Sequence, residues 1–529
     1  MFQLSRNVKI KPKLLQSVNV VFMRIDDLSS SSTGFTGDHE SFILKLSTTR
    51  GTPSTSTDLK EALCEKIPLH HDLLRKFREM HGLDVVSQIT VNDIYRGLDG
   101  VAALIRETSE VDSQNGIKYR GLSMPELCAL LPRKGNSPSA EAVFWLLLTG
   151  DVPTHEQTDS LTEDWAERRD RRKHWWWSES SREIGGVVGG VLRALPQNVP
   201  PVARLAIALT ALDADQHYRR AVKQGAMSYT YWEHIYEDSM ELLASLPAIV
   251  ALVSSVEARP TPLAIEKTDW VDFFLDCFHS ATDSITEAQK QSLGEFLRLF
   301  IAVNADDDGG IPGAHVAQIM GSCQFDASRA LAAGVLAYAN EPTSGTLCQY
   351  MDFLVQLQNA VGREPKREIL RNFVSSLIDK RFQIAGHKIS QFEDTRYKIL
   401  QEFVKTRVPN DPEIQLSQDI STIYTTQIKK ARNRSVVAEQ NAIAAPLFQF
   451  YGLRDMDYNQ LLLCMSRALG IVASMIWTTA LNAPVERPRA KCTHSYFREF
   501  RPDDGRHFFG GRRPKGGRSS KGGGSNKPG

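Results

Sequence analysis

Seven short runs in this 529-residue chain hold polar residues of types that can do chemistry. They are Asn304-Ala305-Asp306-Asp307-Asp308-Gly309-Gly310, Glu341-Pro342-Thr343-Ser344-Gly345-Thr346, Gly386-His387, Asp394-Thr395-Arg396-Tyr397, the segment from Asn441 to Gly452, Ser466-Arg467-Ala468-Leu469-Gly470 and Glu486-Arg487-Pro488. Arginine forks suit carboxylates, because two parallel N–H bonds meet two oxygens. The guanidinium of Arg396, Arg467 or Arg487 could grip a carboxylate in this way, with structural ion pairs as the alternative for Arg467 and Arg487. An amide such as Asn441 has no useful basicity near neutral pH. A carboxylate such as Asp307 repels an anionic ligand, and the alternative for its acidic run is a solvated loop. The seven cysteines form no C-x-x-C pair, and their spacing suits neither a zinc site nor a disulfide framework. Buried free thiols are expected, with no bound metal and no cofactor.

The elements that must position these residues read as helices. Leu370, Phe373, Val374, Leu377 and Ile378 make one apolar helix face. Glu141–Thr149 and Tyr231–Leu252 read as further apolar-faced helices. No sustained β-alternation is present, so the predicted class is all-α. A short hairpin is predicted around Glu107–Gly121, where Asn115-Gly116 is a good turn dipeptide. Gln460–Leu481 approaches membrane-span length, but Arg467 in a bilayer centre costs at least about 2.5 kcal/mol. A buried core helix is predicted there, and no membrane span. The run Trp175-Trp176-Trp177 cannot turn all three rings to one core, since helical neighbours point about 100° apart. Either a surface hairpin buries them against a partner, or they cap the chain's own helices.

Hydrophobic content of 42%, charged content of 24% and a net charge of +1 are those of an ordinary globular protein. They give no whole-chain pull toward nucleic acid or anionic membrane. The ends differ. The first 25 residues carry Arg6, Lys9, Lys11, Lys13 and Arg24, with no acid before Asp26. With the Ser/Thr-rich stretch that follows, this suits a mitochondrial transit segment better than a secretory signal. Residues 510–529 are Gly/Ser-rich and carry Arg512, Arg513, Lys515, Arg518, Lys521 and Lys527 without an acid. Such a tail is expected to be disordered and could contact RNA phosphates without sequence preference.

Asn441–Gly452, which reads N-A-I-A-A-P-L-F-Q-F-Y-G, resembles the citrate synthase segment D-A-H-S-G-V-L-L-Q-Y-Y-G. Leu59–Pro68, Glu107-Thr108-Ser109, Gly116–Glu126, Phe144–Pro153, Tyr231–Pro247, Ser466–Gly470 and Glu486–Pro488 resemble other segments of that family, so the likeness spans about Leu59 to Arg489. It implies an all-α homodimer in which a small domain closes over a large one. The corresponding division here is a transit segment 1–44, a large domain 45–345, a small domain 346–445, a return to the large domain 446–501 and a tail 502–529.

The family condenses oxaloacetate with acetyl-CoA. A carboxylate takes a carbon-bound proton while a hydrogen-bond donor stabilises the enolate oxygen. By resemblance, Asn441 stands at the aspartate base and Ser344, beside Thr343, at the donor histidine of G-P-L-H-G-L. Asp307 stands where H-S-D-H-E-G-G has an oxaloacetate-binding histidine. Gly386-His387 keeps the G-H whose histidine binds the oxaloacetate carbonyl, and Arg396, Arg467 and Arg487 keep the carboxylate-binding arginines, the last reaching across subunits in the family. A phosphate-binding arginine four residues after the histidine is replaced by Gln391, which weakens the acyl-CoA side.

The reading that results is a catalytically impaired citrate synthase-like protein. It would be a structural or scaffold subunit in a mitochondrial (matrix) assembly, with weak citrate or oxaloacetate binding at His387, Arg396, Arg467 and Arg487. It would pair with itself or a paralogue through the apolar helix around Leu469–Trp477. The Trp run and basic tail would anchor it to its partner. The alternative is a working citrate synthase of the tricarboxylic acid cycle that uses other residues, with His315 and Asp394 as nearby candidates.

Overall fold

A computed structural model describes residues 52–500, apart from 113–115, 179–182, 185, 197, 213–215, 255–267, 278–285, 308 and 339–341. The basic N-terminal segment and the C-terminal tail lie outside the described residues. Those up to Val485 form one unit, and those from Glu486 a second. The first is helical almost throughout, as its apolar periodicities predict.

Its core is organised around the Met456–Ala480 helix, buried on nearly every side. This helix is apolar enough to cross a membrane by length and composition, but 94% of its apolar window is buried inside the chain's own fold. It is a core helix, as predicted. It packs on the Tyr231–Ser254, Pro312–Ser322, Glu287–Asn304 and Pro342–Val361 helices. The Ala140–Thr149 helix is buried at every position, and Trp477 Nε1 donates to Leu148 O near its C-terminal end at 2.7 Å. In Arg367–Asp379, Leu370, Val374 and Ile378 are the buried stripe.

Two proline-containing helices show how the backbone stays satisfied. Proline has no N–H, so the carbonyl four residues earlier loses its helical partner. For Pro247 that carbonyl is Leu243 O, which accepts from Trp270 Nε1 at 2.7 Å. For Pro446 it is Ala442 O, which accepts from Ser417 Oγ at 2.7 Å.

Among the described residues, strands are few and short. The predicted hairpin is present as Ser109–Asp112 paired antiparallel with Gly116–Tyr119, in register from Ser109↔Tyr119 to Asp112↔Gly116. His387–Ile389 pairs antiparallel with Val436–Ala438.

Two expectations are corrected. Trp175 and Trp176 are buried in the core of their own chain, so these two rings are not an exposed anchor for a partner. They sit where a short 3-10 turn ends the His155–Arg172 helix, and the Arg172 guanidinium lies 5.1 Å over the Trp175 ring. The Trp177 side chain is outside the described residues. All seven cysteines are free as expected, but Cys64, Cys323 and Cys492 are exposed.

The second unit holds a short helix, Thr493–Glu499, and an exposed Arg487.

Candidate functional site

The buried polar centre of the first unit forms where the Glu287–Asn304 helix ends. Asp306 and Asp307, which follow it, are buried, so the acidic run is not a solvated loop at these two positions. Asp307 Oδ2 lies 2.8 Å from Arg467 Nη2, with both side chains almost fully buried. Arg467 Nη1 also donates to the Asp306 carbonyl. Asp306 itself is paired with Arg106, both side chains 2% exposed, and its carboxylate accepts from Thr108 Oγ1. Its backbone N–H donates to Tyr119 Oη at 3.0 Å. The Glu107–Gly121 hairpin thus clamps the acidic run from one side and the Met456–Ala480 helix from the other.

Gly470 explains part of this closeness. Its N–H donates to Ala305 O at 2.9 Å, and a Cβ there would come within 2.3 Å of the Asp306 carboxyl. Only glycine lets this helix approach so near.

Arg396 is matched in the same way. It lies one residue inside the Thr395–Arg407 helix, and Asp394 caps that helix by accepting from Arg396 N at 2.9 Å. The side chains pair at 3.2 Å. Burial pulls the Asp394 carboxyl up, but Arg396 and Lys388 outweigh it and hold it at about 2. Burial likewise works against the charge on Arg467, but the facing Asp307 more than offsets it and the net shift is upward. Three arginines therefore meet three buried carboxylates of their own chain: Arg106 with Asp306, Arg467 with Asp307 and Arg396 with Asp394.

His387 is buried between Tyr424, 5.2 Å away in an edge-to-face contact, and Tyr350 at 6.0 Å. Burial pushes its pKa down to about 4, against a smaller opposing pull from its bond to Ala385 O. That bond, 3.0 Å from Nδ1, places the single proton of the neutral ring on Nδ1. Nε2 is then a lone pair, and it is buried without a partner among the described residues. A neutral His387 can accept from a ligand through Nε2 but cannot donate to a carbonyl.

Asn441 is buried at the first position of the Asn441–Phe450 helix. The preceding Gln440 donates from Nε2 to Asn304 Oδ1 at 2.7 Å, tying this helix start to the acidic run. Gly386, at φ +69°, lies so close beneath Ala442 that a Cβ would approach its backbone nitrogen to 3.1 Å. Glu439 N donates to Gly386 O at 2.8 Å. His387 and Asn441 are thus held at one junction of strand and helix. Ser344 lies in the first turn of the Pro342–Val361 helix, with its side chain outside the described residues. Arg487 belongs to the second unit.

Sequence reading missed Arg106 and the full role of Asp306. The available signals were Asp306's place in the acidic run and Arg106's place directly before Glu107-Thr108-Ser109. It also passed over Glu439, two residues before Asn441. Burial raises the Glu439 carboxyl, with Lys388 and Arg396 pulling the other way.

Comparison with known proteins accords with this architecture. Residues 97–489 match the family described as citrate synthase, C-terminal domain. The chain is 32% identical over 447 residues to the mitochondrial citrate synthase of Kajikia audax, covering 83% of this chain and 91% of that one. It is 32% identical over 450 residues to that of Xiphias gladius, covering 84% and 92%. Among solved structures, citrate synthase from Pyrobaculum aerophilum aligns with a TM-score of 0.58 at 19% identity, over 78% of this chain and 94% of that one. Citrate synthase from Thermotoga maritima aligns with a TM-score of 0.54 at 17% identity, over 78% and 97%. The identity to the mitochondrial enzymes and the matched region, which takes in the acidic run, His387, Asn441 and Arg467, place the chain in the citrate synthase family.

Proposed function

We propose that this chain is a citrate synthase fold without condensing turnover, serving as a structural or scaffold subunit of a mitochondrial assembly. The observation that carries the reading is the Asp307–Arg467 pair. A cleft built to take an anionic substrate needs cations with unspent charge. Here the chain's own carboxylates neutralise Arg467 and Arg396, and Arg106 beside them. Any citrate or oxaloacetate must displace Asp307 and bear the cost of leaving that carboxylate buried. Binding is accordingly weak.

The chemistry is missing too. Asn441 cannot take a proton, and His387 in its neutral form has no N–H to offer through Nε2. Each lost acid/base role typically costs about 10²–10⁴-fold in rate. The mitochondrial relatives and the basic, acid-poor N-terminal composition support the mitochondrial setting.

Pairing with a second copy or a paralogue remains part of the reading, with a different surface. Leu469–Trp477 is buried inside its own fold and is not the pairing face. Leu83, Val85, Val86 and Ile89, beyond the Leu59–His81 helix, are exposed and apolar and are better suited to one. Light scattering at micromolar concentration tests this: a dimer is expected, and a monomer removes the pairing. Native gels of mitochondrial extract test the scaffold role. Migration in a large assembly is expected, and migration only as a free dimer contradicts it.

One observation favours a second reading, a working enzyme with a displaced base. Glu439 is a partly buried carboxyl at the His387–Asn441 junction with a raised pKa. Turnover that disappears in Glu439→Gln while the variant stays folded would establish it.

A further inference from the structure

Asp238 and Glu241 lie three residues apart on the Tyr231–Ser254 helix and so share a face. The His217–Lys223 helix begins against that face. Asp238 secures its start, Oδ1 accepting from His217 N at 2.7 Å and Oδ2 from Tyr218 N at 2.9 Å. Each of these oxygens keeps a lone pair. His217 Nε2 stands 3.3 Å from Glu241 Oε1. One donor atom from each of the three residues lies within 4.8 Å of the others. Bonds of about 2.0–2.1 Å around a tetrahedral ion separate neighbouring ligand atoms by roughly 3.3–3.4 Å. The His217–Glu241 edge already has that length, and Asp238 brings an oxygen within 4.8 Å of both.

The neighbours prepare the group further. Arg172 Nε donates to the other Glu241 oxygen at 2.7 Å, fixing the carboxylate's orientation as hydrogen bonds behind metal ligands do. Gln216, adjacent to His217 and buried, lines one small pocket together with Asp238, Glu241, Ser328 and Trp175. Its amide orientation is set chemically. Ser328 spends its proton on Asp326 Oδ1 at 2.9 Å, so toward Gln216 it accepts, from Nε2 at 2.6 Å. Gln216 Oε1 is left buried with no partner among the described residues. An orphaned buried acceptor costs about 1–3 kcal/mol, and a cation would satisfy it. With His217 neutral, two carboxylates and Arg172 leave one negative charge. The exposed Arg220, 3.5 Å from His217 Nδ1, must give way for the ring to carry its proton on Nδ1.

We propose that His217 Nε2, Asp238, Glu241 Oε1 and Gln216 Oε1 form a binding site for a single divalent transition-metal ion. One imidazole nitrogen with carboxylate and amide oxygens suits Zn²⁺ on ligand type. The site is separate from the Arg467 cleft and independent of whether that cleft turns over.

Untagged full-length protein, stripped with chelator, is titrated with Zn²⁺ and with Co²⁺ as a spectroscopic probe. One equivalent should bind, with a visible Co²⁺ absorption lacking thiolate character. His217→Ala and Glu241→Gln should each weaken binding at least tenfold, in the range typical for lost support of a metal site. If His217→Ala does not fold, His217→Gln takes its place. Failure to take up stoichiometric Zn²⁺ or Co²⁺ overturns the proposal, as does uptake that both variants leave unchanged.

Discussion

Asp307 Oδ2 sits 2.8 Å from Arg467 Nη2 in the buried centre of the fold. Asp307 lies in a run that resembles a histidine-containing substrate motif, yet it faces the very arginine that the resemblance assigns to substrate. The chain supplies from its own Asp307 side chain the carboxylate that a ligand would bring. In the proposed reading, this contact gives Arg467 a partner from its own chain in place of an anionic ligand.

Asp307→Asn leaves Arg467 buried without its charge partner. Breaking one side of a buried pair typically costs about 3–5 kcal/mol, so the melting temperature should drop. Millimolar citrate should restore part of that drop in the variant by supplying the missing carboxylate, and should shift the wild type much less. Thermal melts of both proteins, with and without citrate, check this. Equal shifts in the two would mean that Asp307 does not occupy the arginine's binding capacity.

His387 gives a pH signature. Its folded pKa is pushed down to about 4 by burial, against about 6.5 when unfolded. Between those values the unfolded chain binds the extra proton, so stability is lost as pH falls from 6.5 toward 4. The loss from this residue is up to about 3 kcal/mol. His387→Gln should lack that component, so the wild-type and variant stability curves should converge on acidification. Parallel curves across this window would show that His387 is not buried neutral.

Trp175 and Trp176 are buried in the chain's own core. Either one replaced by alanine should destabilise the first unit by about 3–5 kcal/mol. Denaturant melts read this directly. A fully stable Trp175→Ala protein that failed only to associate would return these rings to the role of external anchors.

Ser417→Ala removes the hydroxyl that satisfies Ala442 O under Pro446. A buried carbonyl left without a donor costs about 1–3 kcal/mol. The same substitution with Pro446→Ala, which returns an N–H to the helix, should cost less than Ser417→Ala alone. Additive losses would count against this account of the helix.

Much of the fold could be read from local signals. The hairpin followed from Asn115-Gly116, and the Arg367–Asp379 helix from the spacing of Leu370, Val374 and Ile378, because turn chemistry and helical period act over a few residues. The altered positions were legible as residue types: Asn441 is an amide whatever surrounds it. What could not be read was direction. Whether Asp307 faces solvent, ligand or Arg467 depends on a helix that begins at Met456, far along the chain, and on a glycine, Gly470, that admits close approach. The tryptophan run misled for a related reason. Consecutive rings must diverge, but a 3-10 turn at the end of a helix let both Trp175 and Trp176 find the core. The His217–Asp238–Glu241 group gave no motif, since its three residues meet only when two helices pack.

The most direct test of the account is condensing turnover by the purified mature protein, followed as CoA release from acetyl-CoA and oxaloacetate and compared with an ordinary mitochondrial citrate synthase under the same conditions. With Asn441 and Ser344 at the positions that resemble the family's base and donor, and Arg467 held by Asp307, the account predicts a rate at least about 10⁴-fold lower. A rate within about a hundredfold of enzymes that turn over at 1–10³ per second would contradict it.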